Sequence, residues 1–456
     1  MYAIYRRRRT EYASKLLRDF GPVVVIAPGQ VHTTDEEAMK LIYSRSSVKS
    51  AFYSGMGSWK GVTSTLGFLE YEKAAPARRN LLQCFQNKNL DTLAENISSH
   101  VDDFVRLLAK KASEDASVDG VVVFRLLALD VVTDVLWGEQ NRLLSQAGEA
   151  SAVFVRRFHA FSTYNALRAF IPGLDALVSC FGTRRWRQLR RDCNDIDITA
   201  RAALSRWQAN PHKHQKDVLS MLQHMRLSPD SPDGGGIPTA HLPAYMVESL
   251  AAGSSTTSHT AAFACRMLTQ HPAAQRALRA ELRAAFPDRD AAVAGKRLLR
   301  LPYLDAALRE TMRLHPVIPG PQERRLAADV RAAGLRVPAG AIASVAAFDQ
   351  GRLADVYAAP EAWRPERWLA AADDGDDDGA RMRLNWIPFG HGSRACPGAN
   401  LAVVELKYIL GAVFRKFTAV PVPGREADGG VIELDDVFAA STRSGQCWLK
   451  FEVAGD

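Results

Sequence analysis

The stretch FGHGSRACPG, Phe389 to Gly398, limits what this chain can fold into more than any other. One cysteine lies among glycines, an arginine stands two residues before it, and a helical pattern starts just after. Backbone N–H groups at a helix N-terminus, and those freed by Gly392 and Gly398, can point at the Cys396 sulfur and stabilise its negative charge. Arg394 adds positive charge nearby. A lone thiolate held in this way serves as a nucleophile or as a metal ligand. A nucleophile needs a base. His391 is close in sequence, but proximity along the chain is weak support for catalytic geometry.

The other five cysteines, Cys84, Cys180, Cys193, Cys265 and Cys447, form no CxxC pair, and no signal peptide precedes them. They argue against a disulfide scaffold or a zinc ribbon and read as small apolar core residues in a reducing compartment. The net charge of +8 is clustered at Arg6–Arg9 and in RRWRQLRR, Arg184–Arg191. Such clusters suit an anionic membrane, an acidic partner or a solvated helix face. No DNA or RNA recognition motif accompanies them, so nucleic acid is not expected. No apolar run is long enough to span a bilayer. The N-terminus is basic and amphipathic, and the sequon Asn96-Ile97-Ser98 is expected to be idle. GMGSWKG, Gly55–Gly61, misplaces the third glycine of a dinucleotide fingerprint and follows no strand. There is no Walker loop.

Periodicity predicts a mostly helical chain with a minority of strand. Residues 22–36 read as two extended runs about the turn Pro28-Gly29. Helical faces run over Asn89–Lys110 and Val121–Trp137, and over an aromatic-rich stretch, Phe154–Leu177, broken at Pro172-Gly173. Ser228–His241 is a polar loop, and ADDGDDDG, Ala372–Gly379, reads as a solvated surface insertion. Helices are expected from Leu242 to about Thr269, from Pro272, over Pro302–Leu314 and over Ala399–Phe417. Val330–Val337 and Ala341–Ala347 suggest strands. Inside the first of these late helices lies AAGSSTTSH, Ala251–His259, with five consecutive hydroxyl residues after Gly253. Such side chains compete for backbone hydrogen bonds, so this is either a linker or a weak spot within one helix.

The cysteine loop resembles the haem-binding loop of the cytochrome P450 superfamily, F-x-x-G-x-R-x-C-x-G, at Phe389, Gly392, Arg394, Cys396 and Gly398. ETMR, Glu310–Arg313, matches E-x-x-R, and RPERW, Arg364–Trp368, matches the P-E-R motif. The three occur in family order, and the resemblance runs from about Tyr12 to the C-terminus. It implies a mainly α fold with small β-sheets, the cytochrome P450 fold, as one catalytic domain over residues 1–456. It implies haem b (iron protoporphyrin IX), with Cys396 as axial ligand of the iron, Phe389 packed by haem and sulfur, and Arg394 and Arg324 as propionate partners. Arg325 stays open beside Arg324. Arg78 fits one further propionate position, but Ala74 fills the aromatic or histidine position four residues before it. Glu310, Arg313 and Arg367 are implied to form a buried network that holds the loop. Glu310 and Arg313 share one helix face in any case.

The resemblance also implies a haem-thiolate monooxygenase of the microsomal or fungal type, inserting one atom of O2 into a lipophilic molecule of secondary metabolism. Electrons would come from NADPH through a reductase. The alternatives are a reductase-independent isomerase, dehydratase or peroxygenase, and a non-catalytic haem sensor. The pocket would be lined by the loop Phe52–Phe68, the helix around Phe158–Tyr164, Met246–Ala252, Val317–Gln322 and the turn Phe438–Ser444. Ala252, Gly253, Thr256 and Thr257 fit the family's distal-helix pattern. Thr256 would hydrogen-bond O2 and help deliver protons. Ser255 stands where the family usually has Asp or Glu. A monomer is expected, with a peripheral membrane contact. Relatives usually carry an N-terminal anchor ahead of the point where this chain begins. The location expected is the cytosolic face of the endoplasmic reticulum if such an anchor is missing here, and otherwise the cytoplasm.

Overall fold

The computed structural model describes residues 8–455 except 60–61, 146–148, 172, 211–215, 228–236, 238, 371–376, 426–433 and 437. The chain is mainly helical with small sheets, as its periodicity predicts. Helix starts follow local chemistry. Asp35 caps Glu36–Ile42 by accepting the Ala38 N–H at 2.7 Å, and Pro272 and Pro302 each open a helix, where a missing N–H costs nothing. The helix Leu242–Gln270 is unbroken over 29 residues. AAGSSTTSH is therefore not a linker. Its Ser254 Oγ folds back instead and donates to the Leu250 carbonyl at 2.6 Å, as Thr260 Oγ1, one residue beyond the stretch, does to that of Thr256 at 2.8 Å.

The differences from the expected elements have local causes. Val330–Val337 is two strands, Val330–Ala332 and Leu335–Val337, paired across Ala333 and Gly334, whose φ values of 44° and 81° make a tight hairpin turn. Ala341–Ala347 ends as a strand at Val345, and Ala347–Gln350 forms one helical turn. The expected loop Phe52–Phe68 is partly regular: the helix Ala51–Gly57 takes in its first residues, and Ser58–Trp59 pairs antiparallel with Val62–Thr63. The loop Ser228–His241 and the acidic run Ala372–Gly379 lie mostly outside the described residues. Of the acidic run, Asp377–Gly379 begin a helix, Asp377–Asn385.

The chain divides into two compact units, both discontinuous in sequence. The first comprises Met1–Ser47, Ser98–Arg125 and Thr256–Asp456. It contains a sheet in which Val23–Ala27 pairs with Gln30–Thr33, that strand with Ile342–Val345, and that in turn with Gln322–Arg325. The helix Glu36–Ile42 packs on it, and Met39, Ile42, Tyr43, Val345 and Ile387 share its core. Burying each large apolar side chain of this kind contributes about 1.5–3 kcal/mol. The helices Pro302–Leu314 and Ala399–Lys416 pack together in the same unit. The second helix holds one fully buried carboxyl, Glu405, whose pKa burial pushes up to about 8. The second unit comprises Val48–Ile97 and Leu126–Ser255, with Glu149–Phe170 packed along Arg184–Ala209 and against Ala51–Gly57.

Candidate active site

Cys396 lies three residues before the helix Ala399–Lys416 and is exposed; Cys84, Cys193, Cys265 and Cys447 are buried as expected, whereas Cys180, expected in the core, is exposed near the end of the helix Leu174–Phe181. Burial raises the Cys84 pKa to about 12 and that of Cys265 well above its ordinary value, as befits inert core thiols. The loop carrying Cys396 turns twice through left-handed glycines, Gly390 at φ 77° and Gly392 at φ 67°. Gly392 is required on two counts, since a Cβ there would also meet the Tyr43 carbonyl oxygen at 2.5 Å. The loop closes on itself where the Cys396 N–H donates to the Phe389 carbonyl at 2.8 Å. A Cβ on Gly398 would stand 4.0 Å from the Cys396 sulfur, an ordinary van der Waals contact.

Behind the loop is a buried ion cluster. Glu310 and Arg313 have 0% side-chain exposure. Glu310 accepts from Arg313 Nε and Nη2, each at 2.8 Å, from Arg367 Nε at 3.0 Å, from the Arg364 N–H at 2.8 Å and from Trp368 Nε1 at 2.9 Å. Burial alone would raise its pKa. The hydrogen bonds and charge of Arg313, the Arg364 N–H and the charge of Arg367 outweigh burial and hold it below the usual carboxylate value. Arg313 spends its remaining donors on the carbonyls of Gly351, Pro360 and Ala362, and lies over the Tyr357 ring. From Trp368 an aromatic chain leads to the loop. Trp368 meets Trp386 edge-on at 6.1 Å between centroids, and Trp386 meets Phe389 at 6.0 Å. Arg309 sits over both tryptophans. The structure thus brings Glu310, Arg313, Arg367 and Phe389 into one assembly with the cysteine loop.

Strand alternation separates the two arginines that the sequence leaves open. On Gln322–Arg325, Arg324 is 5% exposed and paired in register with Ala343, while Arg325 points to solvent. The Arg324 guanidinium lies over the Tyr43 ring at 5.0 Å, and the Tyr43 hydroxyl stands 3.0 Å from the carbonyl oxygens of both Gln322 and Val345, between which its one proton is shared. Tyr43, whose carbonyl also packs on Gly392, carries no sequence signal of this role. Trp386 is equally silent in sequence. Arg394 is half-buried in the short 3-10 turn Gly392–Arg394. Arg78 is half-buried on the helix Tyr71–Cys84, and Ala74, one turn earlier, is fully buried.

Along the hydroxyl stretch, Ser254, Thr257 and Ser258 are buried, whereas Ser255 and Thr256 are half-exposed. One turn further on, His259 is buried, with Nε2 3.2 Å from Ser441 Oγ and 3.5 Å from Arg125 Nη2. Arginine only donates, so that nitrogen is the acceptor. The polar contacts of His259 could not be foreseen, because Arg125 and Ser441 lie 134 and 182 residues away.

The donor set fits a haem: a thiol ahead of a helix N-terminus, on a loop that turns through Gly390 and Gly392, with Arg394 in the same loop and Arg324 over Tyr43, whose carbonyl packs on Gly392. Residues 3–429 match the family model for cytochrome P450, so the chain belongs to the cytochrome P450 family, as a haem-carrying oxidoreductase of monooxygenase type. It is 26% identical to the cytochrome P450 monooxygenase FGM1 of Gibberella zeae, over 98% of this chain and 88% of that one. It is 28% identical to the cytochrome P450 monooxygenase ABA2 of Pyricularia oryzae, over 93% and 83% respectively. A crystal structure of a cytochrome P450, CYP102L1, superposes with a TM-score of 0.82 over 98% of both chains at 19% identity, a likeness of fold.

Removing one partner of a buried ion cluster strands the others, at a cost of about 3–5 kcal/mol. Glu310→Gln is expected to lower stability by that much at neutral pH in urea unfolding. The folded pKa of Glu310 lies below the ordinary 4.5, so its contribution is complete above that pH and is lost as the pH falls through the folded value. The gap between wild type and variant should close in acid. A gap independent of pH would contradict a charged Glu310.

Proposed function

We propose that the chain, as one catalytic domain, inserts one atom of O2 into a lipophilic small molecule of secondary metabolism, with electrons from NADPH through a separate reductase. The observation that carries this reading is the Cys396 loop ahead of a helix N-terminus, closed by the Cys396 N–H on the Phe389 carbonyl and braced through Trp386 and Trp368 by Glu310. Bound haem supplies the one-electron and O2 chemistry. The chain's own residues do the rest. Cys396 would ligate the iron as thiolate, and its amide, tied to the Phe389 carbonyl, holds the backbone that carries the sulfur. Arg394 and Arg324 would hold the haem propionates. Thr256, a half-exposed residue of the helix Leu242–Gln270, carries a hydroxyl that can accept and pass on a proton. The cytochrome P450 monooxygenase penB of Penicillium thymicola, 26% identical over 87% of this chain, supports the monooxygenase class.

Ser255 is the one feature that favours a second reading, turnover of a peroxide without a reductase. A serine relays protons but is no acid at neutral pH. We infer that water and hydroxyls bring protons to Thr256. With a fungal cytochrome P450 reductase, NADPH oxidation should depend on the reductase. Ser255→Asp should then lower the hydrogen peroxide released per NADPH. Turnover of cumene hydroperoxide alone, with no reductase-dependent oxidation, would establish the second reading. A peroxide leak and coupling unchanged in Ser255→Asp would remove the acid from the account.

A peripheral contact with an anionic membrane, such as the cytosolic face of the endoplasmic reticulum, is proposed on surface chemistry. On and beside the helix Leu174–Phe181, Leu177 is 51% exposed and Phe181 84%. Arg184, Arg185 and Arg187 follow in solvent. Apolar wedges backed by arginines suit an anionic lipid surface. No helix among the described residues is long and apolar enough to cross a membrane. Flotation with phosphatidylserine vesicles should fall sharply in Phe181→Asp, and equal flotation of both proteins would refute the contact.

A further inference from the structure

In the second unit, the backbone at Thr65 and Leu66 is gripped from both sides by opposite charges. On the N–H side, the carboxylate of Glu248, from the helix Leu242–Gln270, accepts the Thr65 N–H at 3.0 Å, the Thr65 hydroxyl at 2.6 Å and the Leu66 N–H at 2.8 Å. On the carbonyl side, the ammonium of Lys49 donates to Leu66 O at 2.8 Å and to Thr65 O at 3.4 Å. Lys49 is 7% exposed and lies over the Tyr53 ring. A lysine is seldom buried to this degree without a paired function, and charge-assisted hydrogen bonds are about twice as strong as neutral ones.

The flanking backbone is fastened as well. The Ser64 N–H and hydroxyl both donate to Gly57 O, at 2.8 and 3.0 Å. Gly67 packs so closely on Gly57 that a Cβ there would meet its oxygen at 2.6 Å. Asn165 Nδ2 donates to Met56 O at 2.7 Å, and Arg168 to the carbonyls of Gly55 and Ser58. A stretch with this many fixed points does not behave as an open loop, since local opening must break several buried polar contacts together. Glu248 stands seven and eight residues before Ser255 and Thr256 on the same helix, two turns away, so the clamp ties this backbone to the helix that carries the hydroxyl pair.

We propose that Glu248, with Lys49, is a positioning residue that holds residues 64–67 as a pre-set wall of the substrate site and so sets which substrates fit. This rests on the reading that residues 52–68 border that site. The consequence is a site that selects by fixed shape, since a wall already fastened has no ordering cost to meet when a ligand arrives. Thr65 contributes a hydroxyl to the same carboxylate, so its loss should weaken the clamp less than loss of Glu248.

The test uses haem-loaded protein and the variants Glu248→Ala, Glu248→Gln and Thr65→Val. Amide hydrogen exchange at residues 64–67 should quicken about ten-fold or more in Glu248→Ala, with smaller effects in the other two. The second readout is the ratio of dissociation constants for 1-phenylimidazole and imidazole. That ratio should shift in the order Ala, Gln, Val, while the reduced carbon monoxide band stays where it is in the wild type. A role in stability alone would move both constants together and leave the ratio unchanged. Unchanged exchange at 64–67 overturns the clamp, whatever the haem does. Faster exchange with an unchanged ratio overturns its role in selectivity. If the wild type shows no thiolate band, the haem-thiolate reading has failed, and exchange still decides whether the clamp exists.

Discussion

The carboxylate of Glu310 is the point on which the cysteine side of the molecule depends. A charge with no exposure to water costs several kcal/mol unless its lone pairs are taken up. Here they are taken by donors from two separate regions of the chain, the helix Pro302–Leu314 and the segment around Arg364–Trp368. Satisfying one buried group therefore dictates how a long irregular segment folds. Arg313 repeats the logic in reverse, because its guanidinium takes three carbonyls from Gly351 to Ala362. The result is a rigid floor. The indole of Trp368, fixed by its bond to Glu310, passes that rigidity through Trp386 to Phe389, and Phe389 O holds the amide of Cys396. An exposed sulfur can serve as a ligand only if it is aimed, and here the aiming comes from packing beneath it.

The second unit uses the same device at another place. There a carboxylate and an ammonium meet the two faces of a single stretch of backbone at Thr65 and Leu66. In both units, irregular chain is fixed by charges spent on backbone groups rather than by regular ladders. Loops that must keep a shape without secondary structure need such anchors, because their own peptide groups have no neighbours in register. The hydroxyl stretch of the helix Leu242–Gln270 works differently. Its buried Ser254 satisfies itself on the preceding turn and leaves the helix intact, and only Ser255 and Thr256 keep partial access to solvent.

Much of this was legible in sequence because it is local. The helices Val121–Trp137 and Pro302–Leu314 follow from periodicity and capping, and FGHGSRACPG, ETMR and RPERW each lie within ten residues or fewer. Gly392 was legible as a motif residue, but its reason, contact with Tyr43 on another element, was not. The choice between Arg324 and Arg325 needed the strand register, which depends on Ala343 and its neighbours far along the chain. Glu248 was invisible for the same reason. Nothing in MVESLAAG marks it, and its partners Thr65 and Leu66 are 183 and 182 residues away. The hairpin at Ala333-Gly334 was hidden by an apolar run that reads as one continuous strand.

The haem-thiolate reading requires the Cys396 thiolate to ligate the iron of a bound haem. The reduced carbon monoxide difference spectrum tests it most directly, recorded for the wild type and for Cys396→Ala. Thiolate ligation predicts a strongly red-shifted Soret band in the wild type that is lost in the variant. An ordinary band in the wild type, or a red-shifted band that survives in Cys396→Ala, would contradict the account.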